Sequence, residues 1–302
     1  MKNLIQKIQE LKVEKNAVIL AHNYQLPEVQ DIADFTGDSL GLSIQARDTR
    51  ADIIVFCGVR FMAETAKVIS PHKKVLLPRQ EAGCPMADMI DREALLRLKE
   101  KHPEAKVLCY VNTSAEVKAE CDLCCTSANA PLVVEKGLQG AREIIFVPDK
   151  YLGSYVVRKT GRRLVLWDGY CPVHVKILPQ HIEKAKREHP QAEVLAHPEC
   201  RSEALELADQ VLSTEGMCRY VAHASGEEFI VATEVGILHR LGKENPRKRF
   251  YSAFEGAVCE DMKLTTLEDV LQALEEEKYE ITLPEEVIEK ASRSIERMLQ
   301  LR

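Results

Sequence analysis

The chain has 302 residues, which at about 150 per domain suggests two domains. It carries 41 Lys and Arg against 47 Asp and Glu, a formal charge of −6, so nothing favours binding to a nucleic-acid backbone. With 45% hydrophobic and 29% charged residues it is globular in composition, and apolar runs such as Ile53 to Cys57 fall far short of the roughly 20 residues that span a bilayer.

The chain opens on MKNLIQKIQELKVEKN, a short amphipathic helix with lysines throughout and neither an apolar core nor a cleavage site, as expected of a cytoplasmic protein. A strand follows in KNAVILAHNY, ending at Tyr24, and a period begins there. EKHPEAKVLCYVN (residues 100–112) aligns with REHPQAEVLAHPE (residues 187–199), their His-Pro pairs 87 residues apart. Downstream the register holds: His22 is followed 17 residues on by Ser39, Tyr110 by Ser127 and His197 by Thr214. Each pair encloses an Asp in a short apolar stretch (ADFTGDS, CDLCCTS, ADQVLST). A second strand recurs as ADIIVFCG, AREIIFVPD and EEFIVATE, and a third as KVLLP, RLVLWD and RFYSAF. After each third strand comes a cysteine: Cys84, Cys171 and Cys259, spaced by 87 and 88 residues.

Val/Ile/Leu-rich runs alternating with helical patterns such as REALLRLKEKH and PQHIEKAKREH indicate βαβ units and parallel sheets buried on both faces. The period therefore predicts three homologous three-layer αβα domains, residues 1–88, 89–175 and 176–302, around a pseudo-threefold axis, each with three or four strands. The last segment, LPEEVIEKASRSIERMLQL, starts at a Pro and has i, i+3, i+4 apolar spacing; it predicts a C-terminal helix.

Ligands of parallel sheets bind beyond the carboxyl ends of the strands, where the marks of this repeat fall. Ser39, Ser127 and Thr214 precede helix-like runs and are expected to be N-caps, beside helix N-termini that suit carboxylate or phosphate. Three copies would bring three helix N-termini and three thiols to one shared site for a small polyanion. A lone Cys is commonly a core thiol, but the threefold spacing favours ligands. Structural zinc usually takes four ligands in close pairs, and these three cysteines lack the paired spacing of a ribbon or finger. A [4Fe–4S] cluster held by three thiolates keeps one iron open as a Lewis acid.

The motifs HNYQ with GDS, CGVRFMAETAK, GCPMADM, YVNTSAEVKA, CTSANA, WDGYCPVH, AHPEC, STEGM and FIVATE together resemble the quinolinate synthase family of NAD biosynthesis, over almost the whole chain. The resemblance implies three αβα domains about a pseudo-threefold axis and one [4Fe–4S] cluster on Cys84, Cys171 and Cys259. It implies a transferase-type condensing and dehydrating enzyme that joins iminoaspartate (iminosuccinate) to dihydroxyacetone phosphate, giving quinolinate, phosphate and water. An L-aspartate oxidase or dehydrogenase would supply the iminoaspartate. The substrate residues it implies are His22, Tyr24, Asp38, Ser39, Tyr110, Asn112, Ser127, His197, Glu199, Ser213 and Thr214. Among them His22, Tyr24 and Glu199 are the proton-transfer candidates. An iron–sulfur hydro-lyase acting on another small dicarboxylate is the alternative enzyme, and a cluster-carrying protein the non-enzymatic one.

The C-x-x-C-C run Cys121, Cys124 and Cys125 is expected at a helix end as buried thiols, because its copies hold no Cys. Cys57, Cys109, Cys200 and Cys218 are expected to be structural; His72, His102, His181, His189 and His239 to be solvated or capping. Both GxGxxG and GxxxxGK[ST] are absent, so neither nucleotide fingerprint applies.

Overall fold

The computed structural model describes residues 2–301. Each apolar run of the repeat becomes a strand, and among the described residues twelve strands form three four-stranded sheets. The first holds β1 (Ala17–His22), β2 (Phe35–Gly37), β3 (Ile53–Cys57) and β4 (Lys74–Leu76). The second holds β5 (Lys106–Tyr110), β6 (Leu123–Cys125), β7 (Ile144–Val147) and β8 (Val165–Leu166). The third holds β9 (Glu193–Ala196), β10 (Gln210–Val211), β11 (Glu228–Ala232) and β12 (Arg249–Ser252). All pairings are parallel and the order is the same in each: β2-β1-β3-β4, β6-β5-β7-β8 and β10-β9-β11-β12. Helices flank the sheets, so β3 and β7 are buried along their whole length, as their unbroken apolar sequences require.

The repeated Asp has a structural cause. Asp34 accepts from the amide of Ile19 at 2.8 Å and donates its own amide to the Ile19 carbonyl at 2.9 Å. Asp122 does the same with Val107, and Asp209 with Val194. In each sheet the reciprocal pair locks the central strand to the segment entering the short edge strand. The carboxylate thus supplies an acceptor that a two- or three-residue strand cannot.

The short strands β2, β6 and β10 follow Asp34, Asp122 and Asp209, and β6 corrects the expectation of a helix end at the C-x-x-C-C run. Cys124 and Cys125 therefore lie inside β6, buried, and only Cys121 follows a helix, Ala115–Ala119. The caps also shift by one residue. Asp38, not Ser39, caps the helix Ser39–Asp48 by accepting from the Gly41 amide, and Ser213, not Thr214, caps Thr214–His223 through the Gly216 amide. Ser127 caps no helix: the helix after it is Ala130–Leu132, with Asn129 at its start.

The final helix, Glu285–Gln300, begins after Pro284 as its spacing predicts, and buries Ala291, Ser294, Ile295, Met298 and Leu299. It packs on β6 and on the helices Ala115–Ala119 and Arg60–Ile69, which belong with the second and first sheets. The preceding helix, Leu267–Glu276, opens with a capping box between Thr266 and Asp269 and packs on the N-terminal helix Lys2–Glu14 and on β3. The chain beyond the third sheet thus returns to bind the other two.

Replacing Asp34 with Ala leaves the Ile19 amide without its acceptor. The midpoint of urea denaturation is expected to fall by the equivalent of about 1–3 kcal/mol, with Asp34→Asn losing less.

Candidate active site

The carboxyl ends of strands from all three sheets open onto one shared cavity. From the first sheet come His22 at the end of β1 and Tyr24 just beyond it, and Asp38 and Ser39 after β2. The second contributes Tyr110 and Asn112 beside β5 and Ser127 after β6, and the third His197 and Glu199 after β9 and Thr214 after β10. Cys84, Cys171 and Cys259 line the same cavity, one from the loop beyond the last strand of each sheet. Of the residues singled out in the sequence, Ser213 stands apart: it is buried behind the wall as the helix cap. Val59, Phe61, Met62, Met86 and Met262 give the cavity an apolar side.

Each cavity cysteine sits just before a single helical turn, Ala87–Met89, His174–Lys176 or Asp261–Lys263. Backbone amides two and three residues on point at the sulfur: Met86 and Ala87 at Cys84, Val173 and His174 at Cys171, and Met262 at Cys259. The loops are themselves held. Gly83 donates its amide to Asp261 at 3.2 Å, and Cys259 its own to Glu234 at 3.2 Å. Burial pushes the Cys84 thiol up to about 12 and Cys259 to about 11, and raises Cys171 well above the usual thiol range, against the pull of those amides. Three sulfurs facing one space, each with N–H donors directed at it, fit the donor set of a three-thiolate [4Fe–4S] cluster. The other seven cysteines are free thiols outside the cavity lining. His72, His102, His181, His189 and His239 also lie outside it.

The polar wall is one chain of hydrogen bonds. Tyr110 donates its hydroxyl to Glu199. The other Glu199 oxygen lies 2.8 Å from His174 Nδ1, which is also 3.1 Å from Cys171 Sγ. His174 Nε2 lies 2.8 Å from Thr233 Oγ1, and Thr233 Oγ1 lies 2.6 Å from the Tyr24 hydroxyl. Burial would raise the pKa of Glu199, but the adjoining His174 and the hydrogen bonds from His174 and Tyr110 bring it below the ordinary carboxylate range. Burial and the Glu199 charge raise both Tyr24 and Tyr110 well above 10.0, so each keeps its proton.

His22 and His197 repeat one arrangement. Each accepts on Nδ1 the amide two residues ahead, from Tyr24 at 3.2 Å and from Glu199 at 3.4 Å. Burial lowers both to about 3, so both rings are neutral with the proton on Nε2. The Nε2 of His197 lies 3.2 Å from Ser127 Oγ. Asn23, fully buried, donates to Thr214 Oγ1 at 2.9 Å while Arg240 holds its carbonyl oxygen at 2.9 Å, which fixes the Thr214 hydroxyl. Asn112 Oδ1 is buried without a protein partner, an acceptor open to a ligand.

His174, Thr233, Asn23, Glu234 and Lys263 are structural members of this site that the repeat does not pick out. Cys171, His174 and Glu199 place their donor atoms within 4.8 Å of one another. His174 stands three residues beyond its cysteine, where the equivalent positions hold Ala87 and Met262. A residue breaking the repeat beside a shared mark was the available signal.

The fold and site are those of an α/β enzyme, with one cavity shared by three sheets that joins three thiols to buried carboxylate, imidazole and phenol groups. A family model described as "NadA: Quinolinate synthetase A protein" matches residues 6–300. The chain is 52% identical over 299 residues to quinolinate synthase of Methanosarcina barkeri, covering 99% of this chain and 98% of that one. It is 54% identical over 298 residues to quinolinate synthase of Desulforudis audaxviator, again covering 99% and 98%. The chain belongs to the quinolinate synthetase A family.

Gly236 packs where a Cβ would meet Lys263 Nζ at 2.6 Å, Glu234 Oε2 at 2.8 Å and Tyr24 Cα at 2.9 Å. Gly236→Ala is therefore expected to push the Tyr24 loop from the third sheet's loops and destabilise the protein by about 1–3 kcal/mol. A lowered thermal midpoint checks this.

Proposed function

We propose that the chain is a quinolinate synthase, condensing iminoaspartate with dihydroxyacetone phosphate to quinolinate with release of phosphate and water. The observation that carries this is the meeting of Cys84, Cys171 and Cys259 with the Tyr110–Glu199–His174 chain in one cavity. A [4Fe–4S] cluster on the three cysteines supplies, when bound, an open iron that polarises a substrate heteroatom.

The chain's own residues do the rest. The hydroxyls of Ser39, Ser127 and Thr214 bind the substrates' carboxylates and phosphate. At Ser39 and Thr214 the hydroxyls sit on the first turns of ten-residue helices, whose free amides and dipoles add to the attraction. His22 donates from Nε2, and Asn112 offers its open oxygen to a donor on the substrate. Forming an aromatic ring requires enolisations and dehydrations, each moving a proton between carbon and oxygen. Glu199, held ionised, serves as the base for such a proton; Tyr24 and Tyr110, held protonated, serve as hydrogen-bonding and proton-transfer partners. The methionine and phenylalanine side chains exclude water and cover the flat faces of the product ring.

Anaerobically purified protein given both substrates is expected to form quinolinate. Tyr24→Phe should lose about 100-fold or more in kcat with iron and sulfide content unchanged. Activity on another dicarboxylate with none on this pair would instead identify a hydro-lyase. Serine at Cys84, Cys171 or Cys259 should abolish the broad visible absorbance of the cluster, whereas serine at Cys121 or Cys124 should not. Equal bleaching in both sets sinks the ligand assignment. Chelation of the iron should stop turnover, with recovery on anaerobic reconstitution.

A further inference from the structure

On the reading of this cavity as a condensing enzyme's, we propose that Asn23 and Arg240 are positioning residues that make the Thr214 hydroxyl a dedicated donor to an anionic oxygen of the substrate. Neither of the two lines the cavity. Asn23 is fully buried just beyond β1 in the first sheet. Arg240, largely buried, stands on the helix Ile237–Glu244 after β11 in the third.

The hydrogen bonds run one way. A guanidinium can only donate, so the Asn23 atom 2.9 Å from Arg240 Nη1 is its carbonyl oxygen. The NH2 group of Asn23 is then the end that faces Thr214, 2.9 Å from Oγ1, and it too can only donate. Thr214 Oγ1 is therefore the acceptor, and among the described residues nothing else bonds its hydroxyl. The hydrogen of that hydroxyl is left for the cavity, which Thr214 lines. A free hydroxyl offers a ligand its hydrogen or its lone pairs with equal ease. This one is set to give the hydrogen before substrate arrives, and what it selects is an oxygen with no hydrogen of its own, a carboxylate or a phosphate.

Arg240 has a second effect at the same place. Glu215 follows Thr214 in the first turn of its helix, where a bare negative charge would repel an anion. Arg240 holds both Glu215 oxygens, Nη1 to Oε2 at 2.7 Å and Nη2 to Oε1 at 3.4 Å, and so offsets that charge. The repeat holds no counterpart. Strand register pairs Ala21 with Cys57, Cys109 with Val147 and Ala196 with Ala232, so Asn23 is equivalent to Val111 and Pro198, whose side chains have no such hydrogen to give. Leu40 and Ala128 stand where Glu215 does. One copy alone carries the device.

The test sets two replacements of Asn23 against each other in cluster-loaded protein. The dissociation constant of quinolinate, whose two carboxylates are those of iminoaspartate, reports on a carboxylate; the KM of dihydroxyacetone phosphate reports on the phosphate. Asn23→Asp keeps the shape and the contact with Arg240 but turns an acceptor toward Thr214, which reverses the hydroxyl. Asn23→Leu removes the donor and leaves the hydroxyl free. At least one of the two constants is expected to rise by about 30- to 100-fold in Asn23→Asp and about 3- to 10-fold in Asn23→Leu, with kcat within about threefold of wild type. The constant that rises says which anionic group Thr214 holds. Thermal midpoints should rank the other way, Asn23→Asp above Asn23→Leu, whereas a merely structural role would make binding and stability fall together. In a Thr214→Val background Asn23→Leu should cost less than about twofold, because the group it orients is already gone. Both constants unchanged in Asn23→Asp, binding losses that follow the thermal midpoints, or losses that multiply with Thr214→Val would each overturn the proposal. If Asn23→Leu does not fold, Asn23→Ala taken through the same cycle decides. A wild-type protein that holds its cluster yet neither binds nor forms quinolinate refutes the functional reading instead, which separates the two failures.

Discussion

A carboxylate with almost no contact with solvent sets the terms for everything around it. Glu199 follows β9 in the third sheet, 3% exposed, and a charge so placed is tolerated only where donors surround it. Those donors come from the second sheet's segments: the phenol of Tyr110 at the end of β5 and the imidazole of His174 behind Cys171. Through Thr233 the same network reaches Tyr24 of the first. The sheets are thus joined by polar satisfaction as well as by apolar packing. A group that fixes the relative position of three sheets also fixes the shape of what they enclose.

None of the three sheets is large enough to stand easily alone. Their outer strands run to as few as two residues, and small α/β units bury too little apolar surface to offset the ordering of their chains. The arrangement compensates in two ways. Reciprocal Asp–amide pairs stiffen each sheet where its ladder is shortest. The helices Leu267–Glu276 and Glu285–Gln300 then fill the grooves of the first and second sheets with apolar faces, so the last part of the chain completes cores begun by the first.

Much of this is visible in the sequence, because one period imposes one topology three times. Cys84, Cys171 and Cys259 emerge from ten cysteines through spacing alone, and the strand-forming runs through continuous apolar character. What escaped did so for definite reasons. The edge strands β2, β6 and β10 hold at most one Val, Ile or Leu each, whereas the equally short β4 and β8 hold two and are legible. Asp38 and Ser213 each adjoin another good capping residue, so composition cannot say which of the pair takes the cap. An amphipathic C-terminal helix declares which face it buries but not against what. His174 and Thr233 escaped because a repeat reveals what its copies share, whereas an asymmetric substrate needs what only one copy has.

The routing of the C-terminal segments also orders events during synthesis. Domains emerging from the ribosome can fold in turn, N-terminal first. Here the first and second sheets leave with grooves uncovered, since the helices that fill them lie beyond residue 266. The last cavity cysteine, Cys259, and Lys263, whose ammonium reaches the Tyr24 carbonyl, are translated only shortly before those helices. The enclosed site is therefore complete only once the segment through those helices has been made, and a chain stopped before it lacks both the cover of the apolar grooves and, short of residue 259, one of the three thiols.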